Sequence, residues 1–328
     1  MLTLKAIVFE EYGQPDVLQL RDVEKPTPKD DEVLIKVHAA SINDWDWGNV
    51  RGKPFVNRMI LGIMKPKTNI LGGDIAGRVV AVGKNVKKYS PGDDVFGDLC
   101  DSGWGGFAEY VCGNENSLTL KPAGMTYEQA AAMPQAGLLA LQGLRDYGEV
   151  KPGQKVLING AGGGAGTFAI QIAKSFGAEI TGVDKTSKLD KMRSLGADHV
   201  IDYTKEDFTR NGKCYDLIVD NAAHHSVFDY KRALSPNGIY GMVGGASGRI
   251  FQVMALGPLI SMAGRKKIGI VMHKPNKGLA DMIELFEAGK CMAVIDSRYR
   301  LSEVPEALRY FGDGNAIGKI IITMEEYL

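Results

Sequence analysis

The chain has 328 residues, of which 45% are hydrophobic and 24% charged, and 39 lysines and arginines balance 39 aspartates and glutamates. That length allows two domains with a sizeable core, and the composition is that of a globular protein. Zero net charge gives no electrostatic footprint for nucleic acid or for an acidic membrane surface.

The start, MLTLKAIVFEEYG, carries charges where an export signal needs its apolar region. No run of 18 apolar residues occurs, so no membrane span is expected. Cys100, Cys112, Cys214 and Cys291 stand far apart and form no C-x-x-C pair. Free thiols in a reducing compartment follow, with the cytoplasm as the expected address.

Residues 1–125 read as strand-rich. VLIKVHAAS alternates, placing Val33, Ile35 and Val37 on one face and Lys36 and His38 on the other. LGGDIAGRVVAVG, DDVFGDL and FAEYVCGNENSLTLKP continue the pattern, punctuated by the turn signal SPGDD. From 126 the period changes. YEQAAAMPQAGLLALQGL is helical, and KVLI then runs into the octet NGAGGGAG (159–166). TFAIQIAKSFG, KLDKMRSLGA and VFDYKRALSPNG read as helices, alternating with the strands EITGVD, HVIDY, YDLIVDNA, IYGMVGG and KKIGIVM. Such alternation calls for βαβ units and a parallel sheet. GLADMIELFEAGK and the strand-like KIIIT are expected to return to the first domain.

The octet satisfies G-x-G-x-x-G only with its first glycine replaced, as Ala161-x-Gly163-x-x-Gly166; Gly160-x-x-Gly163-x-x-Gly166 is the other alignment. A phosphate-binding loop needs a strand before it and a helix after it, so that backbone N–H groups at the helix start face the pyrophosphate. KVLI and TFAIQIAKSF supply both. The fingerprint also asks for an acid about 20 residues on, at the end of the next strand, and Asp184 closes EITGVD. Ala161, Gly162, Gly163, Gly164, Ala165 and Gly166 are therefore assigned to a dinucleotide; the alternative is a tight strand-to-helix turn with no ligand.

KPGQKVLINGAGGGAGTFAIQIAK, with LGGDIAGRVVAVG upstream and RSLGADHVIDY downstream, resembles the medium-chain dehydrogenase/reductase superfamily. The similarity runs from LKAIVFEEYG to GKIIIT and fits best the zinc-free, quinone-oxidoreductase-like branch. It implies an α/β protein with a GroES-like, β-rich catalytic domain from residues 1–125 and 275–328. A Rossmann domain, a doubly wound parallel sheet over 126–274, is inserted between them. The resemblance also implies a homodimer formed through the Rossmann domain.

Zinc-dependent members carry G-I-C-x-x-D and a later G-H-E. Here SINDWD and LGGDIAG put Asn43 for the cysteine and Gly73 for the histidine. A catalytic zinc needs three protein ligands, and neither Asp46 nor Asp74 compensates. The four close cysteines of a structural zinc lobe are missing as well. His38, His199, His224 and His225 are not at ligand spacing with any cysteine, so no metal is expected.

Without a Lewis acid, alcohol oxidation is difficult. Reducing an activated C=C bond or a quinone is easier, because hydrogen-bond donors can hold the charge that moves onto the carbonyl oxygen. A quinone, enone or enal is the expected substrate. Asn43 is the candidate donor or nicotinamide-ribose contact; the alternative is a turn asparagine. Trp45 and Trp47 line an apolar slot or belong to the core. Relatives carry a tyrosine shortly after the asparagine and a threonine in the next helix, whereas WDWGNVRG has no tyrosine and Leu139 replaces the threonine.

By the same resemblance Asn221, Gly244 and Gly245 sit at strand ends near the nicotinamide, with Met272 and His273 bordering that face. Lys319 matches a basic position that reaches toward cofactor phosphates or Asp46; its alternative is a solvated lysine before an edge strand. Asp184 favours NAD(H), whereas Lys185, Thr186, Ser187, Lys188 and Tyr203 offer a 2′-phosphate site, and the balance falls to NADP(H). Two other readings remain: an alcohol dehydrogenase of the superfamily, and a weakly catalytic nucleotide-binding protein like relatives recruited as crystallins or RNA binders.

Overall fold

Alternating apolar residues in the first third of the chain produce strands there: β1 (Thr3–Val8), β2 (Gln19–Glu24), β3 (Glu32–Ser41), β4 (Asp74–Val82), β5 (Asp94–Asp98), β6 (Tyr110–Asn114) and β7 (Thr119–Leu120). Six more alternate with helices: β8 (Lys155–Asn159), β9 (Glu179–Asp184), β10 (His199–Asp202), β11 (Tyr215–Asp220), β12 (Leu234–Met242) and β13 (Lys267–Ile270). β14 (Ile295–Arg300) and β15 (Lys319–Thr323) follow. These elements belong to a computed structural model that describes residues 2–324.

Two compact units result. The first comprises Met1–Gln135, Pro275–Leu279 and Ile295–Leu328; the second comprises Ala136–Lys274 and Ala280–Val294. The helix Leu279–Glu287, expected with the first domain, thus groups almost wholly with the second.

In the first unit β14-β15-β3-β4-β5-β7 form one sheet, with β6 also on β3, and β1 and β2 make a separate antiparallel pair. Val33, Ile35 and Val37 of β3 face the core, joined by Ile75 and Val79 of β4, Val95 of β5 and Ile320 and Ile322 of β15. β15 lies between β14 and β3, so it is not an edge strand. That register, Ile321 opposite Ser41, carries Lys319 to the loop that follows β3.

The second unit is a six-stranded sheet in the order β10-β9-β8-β11-β12-β13, with every neighbouring pair parallel. This is the doubly wound order, whose chain reverses direction across the sheet between β8 and β11. Ligands of such sheets gather at the carboxyl ends of the two central strands.

Three elements differ from expectation, each for a local reason. The predicted helix over 127–144 is divided into Tyr127–Ala132 and Pro134–Leu141, because Pro134 has no N–H to continue the ladder. Its end, Gln142–Tyr147, is a π-helical turn in which the Gly148 N–H reaches back to the Gly143 carbonyl. The helix Val227–Ala233 ends before Ser235-Pro236-Asn237, which instead lie in a bulge of β12, where the ladder on β11 skips from Leu234 to Ile239. β13 stops at Ile270, short of Met272 and His273. Among the described residues no helix is long and apolar enough to cross a membrane, and all four cysteines are free thiols.

Candidate functional site

The glycine octet joins β8 to the helix Gly164–Ser175. Gly160 takes a positive φ of 71°, which favours glycine. A Cβ on Gly166 would meet the Gly160 carbonyl oxygen at 2.2 Å, so helix and loop pack too closely for any side chain there. Gly163 is different. Its added Cβ would find only the Gly160 oxygen, at an ordinary 3.5 Å. The fold therefore has room for a Cβ at 163. The first N–H groups of the following helix have no partner within the helix and suit a phosphate.

Asp184, at the end of β9, is buried. One carboxylate oxygen accepts the Gly162 N–H at 2.9 Å and the other accepts the Lys185 N–H at 2.9 Å. Lys188 is also buried, its Nζ 3.9 Å from Asp184, and its methylenes pack where a Cβ on Gly162 would fall. Lys185 is half-buried, while Thr186, Ser187 and Tyr203 are exposed. The Thr186 hydroxyl donates to Asp202.

At the centre of the sheet, Asn159 donates to Asp220 at 2.7 Å and to the Ala222 carbonyl at 3.2 Å. Asn221 returns two bonds to the Asn159 carbonyl, from its backbone N–H and from its side-chain Nδ2. Its side-chain oxygen is buried without a partner. Asp220, pushed up by burial, also accepts from the Tyr240 hydroxyl at 2.9 Å. Gly244 and Gly245 pack beside Asn221 and Ala223, so this network holds the strand ends in place.

The first unit contains a second polar centre. Asn43 caps the helix Asp44–Arg51 and is buried. Its Nδ2 donates to Asp74 at 3.0 Å, its backbone N–H donates to Asp46 at 2.9 Å, and its amide oxygen accepts from Lys319 Nζ. Lys319 also donates to the Ile42 carbonyl at 2.9 Å and lies 3.9 Å from Asp74. Asp74 further accepts the Gln135 N–H at 3.1 Å, and Asp46 accepts the Gly72 N–H at 3.0 Å. Asp98 completes the group and accepts the Cys100 N–H at 2.8 Å.

Asp46, Asp74, Asp98 and Lys319 are all buried. One ammonium faces three carboxyl groups, so the charges cannot balance if all are ionised. Burial pushes Asp46 up to about 7. It also raises Asp74, which the neighbouring Asp98 raises further. Burial lowers Lys319, and the three carboxylates act against that.

The geometry also bears on a metal. A side chain at Gly73 would meet the Cys100 sulfur at 2.6 Å, so that thiol fills the space a ligand there would need. Asn43 and Gly73 offer no thiolate or imidazole, and Asp74 is already engaged with Asn43, Gln135 and Lys319. This donor set does not fit a tetrahedral zinc. Among the described residues no group of three or more His, Cys, Asp or Glu is arranged to hold a metal ion.

The two tryptophans part company. Trp45 is exposed and stacks on Trp104, with ring centroids 6.2 Å apart. Trp47 packs against the core and Gly312, with the Arg51 guanidinium 3.9 Å above its ring. Lys319 is not the solvated lysine of the alternative reading. Nothing in the sequence assigned Trp104, Cys100, Asp98 or Gln135 to this centre: Asp98 ends β5 and Gln135 lies in the first turn of the helix Pro134–Leu141, and only long-range packing brings them together.

A model of the alcohol dehydrogenase GroES-like domain matches residues 29–123, and one of a zinc-binding dehydrogenase matches 195–322. The chloroplast envelope quinone oxidoreductase homolog of Arabidopsis thaliana is 34% identical over 97% of this chain and 98% of its own. The NADPH-dependent alkenal/one oxidoreductase, chloroplastic, of the same plant is 32% identical over 97% of this chain and 79% of its own. The solved quinone oxidoreductase of Coxiella burnetii superposes with a TM-score of 0.88 at 29% identity, covering 99% of this chain and all of that one.

Proposed function

From its membership of the medium-chain dehydrogenase/reductase family, in the quinone-oxidoreductase branch, we propose that this chain is a zinc-independent NADPH-dependent reductase of quinones or of the C=C bond of α,β-unsaturated carbonyls. The observation that carries the reading is Lys319, whose ammonium bonds Asn43 where zinc-dependent members hold their metal. The relatives' names support both acceptor classes. The alcohol dehydrogenase and crystallin-like readings are not favoured.

When bound, a reduced nicotinamide supplies hydride from its C4 to the β-carbon of the acceptor. Water supplies the proton that the α-carbon takes up, and the chain's own groups bind, orient and hold charge. The N–H groups of the octet and of the helix Gly164–Ser175 bind the pyrophosphate. Asp74 and Lys319 fix the Asn43 amide from both ends. One Asn43 amide proton goes to Asp74, and the other is the donor for the acceptor's carbonyl oxygen as negative charge gathers there. Trp45, with Trp104 behind it, offers a flat apolar wall for a planar acceptor. Asn221, Gly244, Gly245, Met272 and His273 remain proposed cofactor contacts; the unpartnered Asn221 oxygen supports the first of them.

NADPH preference rests on charge. Two backbone N–H groups and Lys188 neutralise Asp184, which weakens its repulsion of a 2′-phosphate. Lys185, Ser187 and Tyr203 are then the contacts available to that phosphate, with Lys188 acting through Asp184. A homodimer through the second unit is supported by β13, a sheet edge, and by exposed Phe251, Met254, Leu259 and Met262 on the preceding helix. Sedimentation of a single monomeric species at micromolar concentration would remove that part. A cytoplasmic location stays a proposal, supported by the free thiols.

Labelling tests the chemistry. Turnover of an enone with NADPH deuterated at C4 in ordinary water is expected to leave deuterium on the β-carbon, and turnover with unlabelled NADPH in D2O is expected to leave it on the α-carbon. An allylic alcohol with deuterium on the former carbonyl carbon, or activity that tracks stoichiometric zinc, would sink the proposal.

A further inference from the structure

Net neutrality conceals strongly one-sided stretches. Residues 51–67 carry Arg51, Lys53, Arg58, Lys65 and Lys67 and no carboxylate side chain. In the same stretch Phe55, Met59, Ile63 and Met64 are exposed, Met64 by 92%. Phe55 and Met59 stand one turn apart on the helix Phe55–Leu61 and so share a face. Single exposed apolar residues are ordinary, but four within ten residues form the kind of patch that marks an interaction site.

The stretch is held in place rather than hanging free. Arg58 lies 4.5 Å above the Tyr12 ring, and the Tyr12 hydroxyl donates to the Gly62 carbonyl at 2.6 Å. Arg51 lies over Trp47. Lys53, Lys65 and Lys67 are left exposed beside the apolar side chains.

We propose that residues 51–67 dock the protein peripherally on an anionic lipid surface. The apolar side chains would enter the boundary between headgroups and acyl chains, and the three lysines would face lipid phosphates. Charge complementarity chooses an anionic occupant. The apolar residues then choose a bilayer over a purely acidic peptide, which would leave them in water. A groove that accepts an amphipathic helix reads anchors at i, i+4 and i+7. Here the helix is seven residues long, and Gly62, at φ 127°, breaks it before Ile63 and Met64. A fluid surface imposes no such spacing. The inference does not depend on the proposed reaction.

The test is co-sedimentation of the full chain with vesicles of phosphatidylcholine alone and of phosphatidylcholine with about a third phosphatidylserine. Binding is expected to the anionic vesicles only, and to weaken as salt is raised. The triple variant Lys53→Glu, Lys65→Glu, Lys67→Glu should lower partitioning on the order of 100-fold. Met59→Asp with Met64→Asp should lower it comparably. Both variants should keep the parent's melting temperature and its turnover of a water-soluble enone. Equal partitioning into both vesicle types, no partitioning at all, or a triple variant that binds like the parent would overturn the proposal. So would salt-sensitive capture by polyglutamate without vesicle binding, which would assign the face to an acidic protein.

Discussion

Single residues separate what the fold needs from what a ligand needs. Gly163 has room for a side chain, so Gly163→Val should leave the melting temperature within a few degrees of the parent while dinucleotide affinity, read by fluorescence titration, falls at least about tenfold. Retained affinity would remove the octet from the binding site. Asn43 is the opposite case, because it serves the fold and the proposed chemistry together. Removing its amide takes one hydrogen bond each from buried Asp74 and Lys319. Asn43→Ala should therefore cost about 1–3 kcal/mol of stability. It should also lower turnover on the order of 100-fold per folded molecule. Full turnover by the folded fraction would leave Asn43 a structural cap and nothing more. The sequence offered a turn asparagine as the alternative, and the structure makes Asn43 the N-cap of the helix Asp44–Arg51, with its backbone N–H on Asp46. Its bond to Lys319 was not legible, since the two residues are 276 apart and no local pattern links them.

Elements differ in how far local sequence carries. The strand, glycine loop, helix and strand of the second unit were readable throughout, because each is specified by neighbours within about twenty residues and the parallel order follows from alternation. The breaks were harder. Pro134 and Pro236 each remove a donor, yet one divides a helix and the other sits in a strand bulge, and only tertiary pairing decides which. The turn after β9 shows the same limit. Lys188 reads from sequence as a free phosphate ligand, but the helical turn that follows β9 folds it back over Gly162 and beside Asp184. Lys188→Ala should leave Asp184 neutralised only by its two backbone N–H bonds and shift the ratio of NADPH to NADH specificity toward NADH. An unchanged ratio of kcat/KM would show that the turn does not set the preference.

At the scale of the whole molecule, a balance of 39 against 39 charges says nothing about where they lie. Neutrality argues against an acidic partner only for the average surface, and residues 51–67 depart from that average. The buried cluster makes the same point inside. Asp46 and Asp74 have carboxyl groups raised above the ordinary 3.8, so the folded chain holds protons that the unfolded chain has released. Their contribution to stability is full below about pH 4 and is lost as pH rises toward about 7 and beyond. Urea midpoints should therefore fall across that window. Lys319→Met, which removes the cluster's only cation, should lower them by the equivalent of about 3–5 kcal/mol near neutral pH. Midpoints that rise steadily over that window would refute the assignment of raised carboxyls. Lys319 also imposes an order on synthesis. Asp46, Asp74 and Asp98 leave the ribosome early, but the cation that makes their burial tolerable comes more than two hundred residues later, on β15. Residues 136–274 can close their sheet in the interval, since its six strands lie within that span. The first unit cannot bury its acids beside that cation until β15 pairs with β3.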